Sequence, residues 1–214
     1  MSFPNNNHDR PRDRRRSELF STAAAELGLE PVPGLTQFQE ALDMFQSLKF
    51  NRLQKQKIFS CWRHPGRPGY FLFDLGLVSD HGGWQWTGVL DGTRFPTAPD
   101  FEITGKNFFD RLGGFLKKRP TSKLPAPAGF HDTYLLEGDP SQLASFLTPN
   151  RLGQIQALPM PKVGTVEMAN GRLLYHQSLN HRADNPTDFD ARNATAEDIR
   201  EIVAEGLTIF SICR

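Results

Sequence analysis

Three stretches near the middle of the chain alternate apolar residues with polar or small ones. In the clearest of them, Phe71 and Phe73 fall on one side of an extended backbone, while Leu72 and Asp74 fall on the other. Short turns rich in Gly, Pro and Asp separate the stretches, so consecutive strands should run antiparallel. The strands predicted for this meander are Ile58–Trp62, Tyr70–Val78 and Trp84–Leu90.

A second group of strands follows in the later part of the chain. Phe101 and Ile103 alternate with polar residues directly after a proline-rich turn, which predicts a short strand. Asn170 and Gly171 are a strong signal for a two-residue type I′ turn, because both central residues of that turn need positive φ. The strands predicted from these signals are 101–103, Thr133–Glu137, Val163–Met168 and Arg172–His176.

Helical spacing of apolar residues, together with capping signals, predicts helices before, between and after these strands. Ser17 is a candidate N-cap for a helix that ends near Gly28. Thr195 and Asp198 form a capping box for the clearest amphipathic helix, in which apolar residues recur on one side as far as Phe210. Further helices are predicted at 36–45, 108–118, 140–147 and 149–155.

These elements together predict an α+β fold. We expect a single domain in which an antiparallel sheet of five or more strands packs against amphipathic helices that lie largely on one side. The chain divides into a disordered basic arm at residues 1–16, a helical segment at 17–49 and the α+β core at 50–214. The arm is interpreted as disordered because it has almost no apolar residue to offset the entropy of ordering.

Composition and charge narrow the class of protein. The chain has 214 residues and a net charge of +1, and its mean hydropathy is -0.48. No apolar run approaches the ~20 residues that a membrane-spanning helix needs, and the start lacks the apolar stretch of a signal peptide. We therefore expect a soluble, cytoplasmic protein without a membrane span. Two cysteines, Cys61 and Cys213, argue against a disulfide framework and against a zinc site built on cysteine pairs.

Side chains capable of chemistry are sparse. The sequence contains no phosphate-binding, dinucleotide-binding, nucleophile-elbow or zinc-protease motif. Asp74 interrupts an apolar strand, and a buried position would require a partner such as an arginine, which favours a structural role. His176 and His181 precede three aspartates, the last of them Asp190, in a polar loop whose spacing matches no known metal site. We expect neither a metal nor a cofactor.

Aromatic side chains offer one candidate binding surface. Trp84 and Trp86 lie on the same face of their predicted strand. With Tyr70 as a cross-strand neighbour they would form a binding platform if that face were open, and they would be core or edge packing if it were covered.

Basic side chains offer a second candidate surface. Arginines crowd the start of the chain, and Arg14, Arg15 and Arg16 are candidate contacts for an acidic partner or for nucleic acid. Two aspartates dilute this cluster, and no aromatic residue interleaves with it to stack on bases. We therefore interpret the arm as a solvated tail, with a binding arm as the alternative, for which another protein is expected as the partner rather than nucleic acid.

Four segments of the chain follow a pattern found in other proteins. They are YFLFDLGLV at 70–78, PDFEITGKNFFDRLGGFL at 99–116, HDTYLLEGDPSQLASFLTP at 131–149, and the hairpin EMANGRLLYH. In this order they resemble the strands, helix and final hairpin of a group of uncharacterised bacterial proteins, over residues 50–178. The resemblance implies a shared fold, and it supplies no catalytic residue.

Three functions are compatible with the sequence. The first is a non-enzymatic interaction module, favoured by the missing catalytic motifs, the aromatic strand and the basic arm. The second is a small hydrolase or ligand-binding domain that uses Asp74 or the loop from His176 to Asp190. The third is weak nucleic-acid binding through the N-terminal arginines, which would fall steeply with salt.

Overall fold

One antiparallel sheet organises the molecule. The computed structural model describes residues 11–32, 43, 56–67, 69–79, 82–93, 95–106, 122–158, 164–179 and 194–214. Their strands are β1 (Glu30–Pro31), β2 (Gln56–Arg63), β3 (Tyr70–Ser79), β4 (Gly82–Asp91), β5 (Phe101–Gly105), β6 (Tyr134–Gly138), β7 (Thr165–Ala169) and β8 (Arg172–Ser178). The strand order is β1-β2-β3-β4-β8-β7-β5-β6, and each neighbouring pair is antiparallel. The predicted α+β fold is confirmed.

Two hairpins with tight turns set the register of the sheet. Ser79 pairs with Gly82, and the pairing of β3 with β4 continues from there without interruption. At the other hairpin, Asn170 and Gly171 have φ values of 52° and 69°. Both are positive, as a type I′ turn requires, so the turn predicted from the sequence is confirmed. Strands β4 and β8 pair with each other and join the two hairpins into one sheet.

An irregularity in β2 interrupts its pairing with β3. Ile58 pairs with Leu75, whereas Ser60 pairs with Asp74, so Phe59 has no opposite residue. Phe59 is therefore the extra residue of a β-bulge. Bulges bend a strand and change the direction of the side chain at that position.

The helices flank and follow the strands, and the caps predicted at Asp139 and Thr195 are present. Asp139 accepts a hydrogen bond from the Ser141 amide at 2.9 Å. Thr195 and Asp198 form the reciprocal capping box, with the Thr195 amide donating to Asp198 at 2.7 Å. The helices are α1 (Pro11–Glu26), α2 (Phe130–Thr133), α3 (Pro140–Phe146), α4 (Pro149–Gln156) and α5 (Ala196–Cys213).

Helices α1 and α5 pack on one face of the sheet. Phe20 of α1 stacks on Trp62 of β2 with ring centroids 5.4 Å apart. Helix α5 lies so close to the strands that a Cβ added to Gly206 would be 3.2 Å from Val89 and 3.3 Å from Tyr175. Side chains of both helices therefore share one apolar core with this face, and burying each large side chain contributes roughly 1.5–3 kcal/mol.

The opposite face of the sheet is buried as well. Phe71, Phe73 and Leu90 are at most 5% exposed. They alternate along their strands with residues that pack on α1 and α5, so they belong to the other face. The sheet is thus a layer with both faces buried at its centre, which explains why the strands are apolar on both sides.

Two predicted boundaries were wrong. Helix α1 begins at Pro11, not after Ser17, so residues 11–16 are helical and the disorder predicted for them is not observed. Proline suits the first position of a helix, and Arg16 gains a buried partner on the sheet that compensates for its ordering. Residues 30–31 lie in the segment at 17–49 that was predicted to be helical, and they form β1 and pair with Arg63 and Trp62.

Several predictions fall outside the described residues. They concern residues 1–10 of the basic arm, the helix at 36–45 except Asp43, the helix at 108–118, and the polar loop from His181 to Asp190. Among the residues that the structure describes, no helix is long and apolar enough to cross a membrane.

Candidate functional site

A row of polar side chains crosses the sheet beneath the helices. Asp74, Thr87 and Gln177 occupy paired positions on three neighbouring strands, β3, β4 and β8. They are 2%, 0% and 0% exposed, respectively. Burying polar groups without hydrogen bonds is costly, so side chains from the helices are expected to meet this polar row at its ends. We refer to Asp74, Thr87 and Gln177 as the polar row.

At one end of the polar row, Asp74 is paired with Arg16 of α1. The Arg16 Nε donates to Asp74 Oδ1 at 2.6 Å, and Nη2 contacts the same oxygen. The two side chains are 9% and 2% exposed. The sequence-based expectation that a buried Asp74 takes an arginine partner is confirmed. The ion pair connects the first half of α1 to the middle of the sheet.

The same guanidinium contacts two aromatic rings. Its central carbon is 5.5 Å from the centroid of Phe20 and 5.3 Å from that of Phe59. Cation–π contacts of this kind contribute about 0.5–2 kcal/mol. Phe20 is fully buried, whereas Phe59 at the bulge is 45% exposed. We refer to Asp74, Arg16, Phe20 and Phe59 as the Arg16 clamp, because a buried charge pair positions an exposed ring.

At the other end of the polar row, a glutamate from α5 joins the hydrogen bonding. The Tyr175 hydroxyl lies 2.6 Å from Glu205 Oε2 and 3.2 Å from Gln177 Oε1. Glu205 is only 7% exposed although it belongs to a helix. Burial raises the pKa of the nearby Tyr134 hydroxyl, and the charge of Glu205 raises it further. This end of the row is therefore a hydrogen-bonded network of Tyr175, Gln177 and Glu205 that joins α5 to the sheet.

On the opposite face, His176 of β8 pairs with Thr165, and three glutamates lie across the adjacent strands. Glu137, Glu102 and Glu167 occupy paired positions on β6, β5 and β7. The Thr104 hydroxyl donates to Glu102 at 2.9 Å. Burial lowers the pKa of His176 to about 3, while the charge of Glu102 opposes that shift. The imidazole is thus neutral at neutral pH.

The aromatic residues proposed from the sequence are not brought together. Trp86 pairs with Leu75 and Trp84 with Leu77, whereas Tyr70 pairs with Asp91 at the far end of the hairpin. Along β3, Leu75 and Leu77 come five and seven positions after Tyr70, both odd offsets, so position 70 lies on the other face from positions 84 and 86. The expectation that Tyr70 is a cross-strand neighbour of the two tryptophans was wrong.

Tyr70 also lacks the exposure that a platform needs. Its ring is 4% exposed and meets the edge of Phe210 at 6.4 Å. Burial raises the pKa of its hydroxyl, with opposing smaller effects from the charges of Arg67 and Asp91. The side chains of the two tryptophans lie outside the described part, so a platform built on them stays a prediction.

The arginines proposed as one binding cluster differ in their exposure. Arg15 is exposed on α1, whereas Arg16 is buried in the Arg16 clamp. The side chain of Arg14 lies outside the described part. Of the three arginines predicted to bind a partner, Arg15 is thus the one whose described side chain faces solvent. Sequence reasoning missed Phe59, Thr87, Gln177 and Glu205, because their burial depends on strand register and helix position.

Comparison of this chain with known proteins found no relative. No protein-family model, curated protein or solved structure matches this chain. Among the described residues, no group of three or more His, Cys, Asp or Glu side chains is arranged to hold a metal ion. The resemblance to a group of bacterial proteins stays a prediction.

Proposed function

We propose that this protein is a non-enzymatic interaction module that binds another protein. The observation that carries the proposal is the exposed ring of Phe59, held by the Arg16 clamp. A ring fixed in one position loses little entropy on binding, and aromatic side chains next to arginines are typical of the residues that dominate interfaces.

The candidate acids and bases of the described residues support this choice because they are engaged in structural contacts. Asp74 pairs with Arg16, and the His131 ring lies 2.8 Å from the Leu124 carbonyl. His64 accepts a hydrogen bond from the Gly66 amide at 3.0 Å. None of these side chains is both exposed and positioned beside a nucleophile, which a hydrolytic site would require.

The other two functions stay predictions. A small hydrolase or ligand-binding domain would use Asp74, which is held by Arg16, or the loop from His176 to Asp190, of which the part from His181 lies outside the described residues. Nucleic-acid binding would use Arg15, and its affinity should fall steeply between low and physiological salt.

The test of the interaction module is an affinity purification of the full-length chain from its native lysate, followed by titration with each purified candidate partner. The full chain is needed because a truncation at Ser17 would remove Arg16 and disturb the fold. We expect at least one protein that binds with a saturable isotherm and a 1:1 or other fixed ratio. Turnover of a substrate in a parallel hydrolase screen, without any protein partner, would refute the proposal.

A further inference from the structure

A second group of polar side chains lies at one end of the sheet, on the face that packs against α5. Tyr70 of β3 is paired with Asp91 of β4, so the two side chains share this face. The His64 amide donates to the Tyr70 carbonyl at 3.2 Å, and their rings meet edge to face with centroids 6.1 Å apart. Three strand ends thus bring an imidazole, a phenol and a carboxylate together.

Two arginines complete this group from other parts of the chain. Arg214 follows the last turn of α5, and its Nη2 donates to Asp91 Oδ2 at 2.6 Å. Arg67 lies in the turn between β2 and β3, where its carbonyl accepts from the Tyr70 amide at 3.1 Å. The Arg214 side chain is 58% exposed, and Arg67 is exposed as well. We refer to His64, Arg67, Tyr70, Asp91 and Arg214 as the Tyr70 cluster.

The Tyr70 hydroxyl is the group in this cluster that the fold does not explain. The residue is 4% exposed, and its hydroxyl has no hydrogen-bond partner among the described residues. Burying a hydroxyl without a partner costs free energy, whereas a phenylalanine would fill the same space without that cost. The hydroxyl is therefore available to donate to an acceptor on a ligand.

The charges around the hydroxyl favour a negatively charged acceptor. Arg67 and Asp91 both lie close enough to shift the pKa of Tyr70, in opposite directions. Asp91 already accepts from the Thr93 amide at 2.9 Å and from Arg214. Arg214 also offsets the partial negative charge at the C-terminus of α5. Two arginines beside one aspartate leave an excess of positive charge at the surface of the cluster.

His64 supplies a further donor. Its Nδ1 accepts a hydrogen bond from the Gly66 amide at 3.0 Å. A ring nitrogen that accepts carries no proton, so the proton of the neutral imidazole is on Nε2. His64 is half-buried beside the Tyr70 ring. The cluster therefore combines an N–H donor and an O–H donor with two guanidinium groups.

We propose that the Tyr70 cluster is a binding site for a small oxyanion, a phosphate or a carboxylate group. The Tyr70 hydroxyl and His64 Nε2 donate to its oxygens, and the guanidinium groups supply charge-assisted hydrogen bonds. The anion enters beside Arg214, because that side chain is exposed and can move aside from the buried hydroxyl. This inference does not rest on the proposed function.

The test compares thermal melting of the full-length chain in different salts. Differential scanning fluorimetry is run in sodium phosphate or sodium acetate at about 20 mM, and in sodium chloride of equal ionic strength. We expect at least one of the two oxyanions to raise the Tm by about 3 °C or more. Phosphate also stabilises proteins through exclusion from their surface, so the comparison between variants decides the result.

Tyr70→Phe is the decisive variant. It should remove most of the shift in Tm that the oxyanion causes. It should not lower the Tm in sodium chloride, because the hydroxyl that it removes has no partner among the described residues. Arg67→Gln should raise the Kd of the oxyanion about fivefold in isothermal titration calorimetry. The matched control is Arg15→Gln, which removes an exposed arginine of α1 outside the cluster and should leave the Kd unchanged.

Three outcomes would overturn the site. An equal shift in Tm for the wild-type chain and Tyr70→Phe means an adventitious ion only. The absence of a shift with both oxyanions also rejects the proposal. A Tyr70→Phe variant that melts at a lower temperature in sodium chloride shows that the hydroxyl has a structural role instead. The interaction module is tested through protein partners, so either proposal can fail while the other stands.

Discussion

Separating Arg16 from Asp74 should destabilise the protein strongly. Either single substitution, Arg16→Met or Asp74→Leu, leaves one charge without its main partner in surroundings where the two side chains are 9% and 2% exposed. Removing one member of a buried ion pair typically costs about 3–5 kcal/mol, because the remaining charge is neither hydrated nor paired. For a chain of 214 residues, this corresponds to a fall in Tm of roughly 6–20 °C.

The double variant gives the more informative measurement. Arg16→Met together with Asp74→Leu removes both charges and fills their places with apolar side chains. The double variant should therefore lose much less free energy of unfolding than the two single variants lose when their losses are added. We expect a coupling free energy of about 2 kcal/mol or more from the double-mutant cycle. The free energies of unfolding are measured by urea denaturation followed by circular dichroism, with tryptophan fluorescence as a second probe of two-state behaviour.

A surface ion pair serves as the control. Arg200 contacts Glu26 at 2.5 Å, but these side chains are 36% and 45% exposed. Glu26→Gln should therefore change the free energy of unfolding by less than about 1 kcal/mol. If Asp74→Leu costs no more than Glu26→Gln, or if the double-mutant cycle shows no coupling, then the ion pair does not connect α1 to the sheet as described here.

Three further predictions test other parts of the structure. Burial lowers the pKa of His176 from 6.5 to about 3, so its contribution to stability is present above pH 6.5 and is lost as the pH falls toward 3. In urea titrations at a series of pH values, His176→Gln should therefore make the free energy of unfolding depend less on pH. Gly171→Ala should lower the free energy of unfolding by about 2 kcal/mol or more, because an alanine at φ +69° would place its Cβ 2.8 Å from a backbone oxygen. Asn170→Gly should change the free energy of unfolding by less than about 1 kcal/mol. Burial raises the pKa of the Cys61 thiol, and that of Cys213 to about 12, so neither should react with a thiol reagent at pH 7 until the protein is unfolded; fast labelling of the native chain would contradict this.

Local signals in the sequence were sufficient for much of the fold. The capping box at Thr195 and the Asn170–Gly171 turn depend on residues that are close together in the chain, and the structure contains both. Register could not be predicted in the same way. The turn pairs Ser79 with Gly82, and this pairing fixes the partner of every other residue in the hairpin. Tyr70 is therefore opposite Asp91 and not beside the tryptophans.

The site was harder to predict because it depends on contacts across long stretches of sequence. Asp74 was identified as a residue in need of an arginine, but its partner lies 58 residues earlier, in a segment whose composition indicated disorder. Composition measures what a segment can bury by itself. Composition takes no account of Asp74, the buried carboxylate on the sheet with which Arg16 pairs. The beginning of α1 was therefore placed too late for the same reason that the Arg16 clamp was missed.

The position of the bulge gives the Arg16 clamp its functional interest. If β2 were regular at this point, Phe59 would lie directly opposite a residue of β3. The bulge removes this partner, and Arg16 then supplies a contact that holds the ring at the surface. A core that required only stability would be served by apolar packing at Asp74 and Arg16. Because a buried ion pair costs desolvation, the double variant proposed above should retain much of the stability that either single variant loses, while it removes the cation that contacts the Phe59 ring.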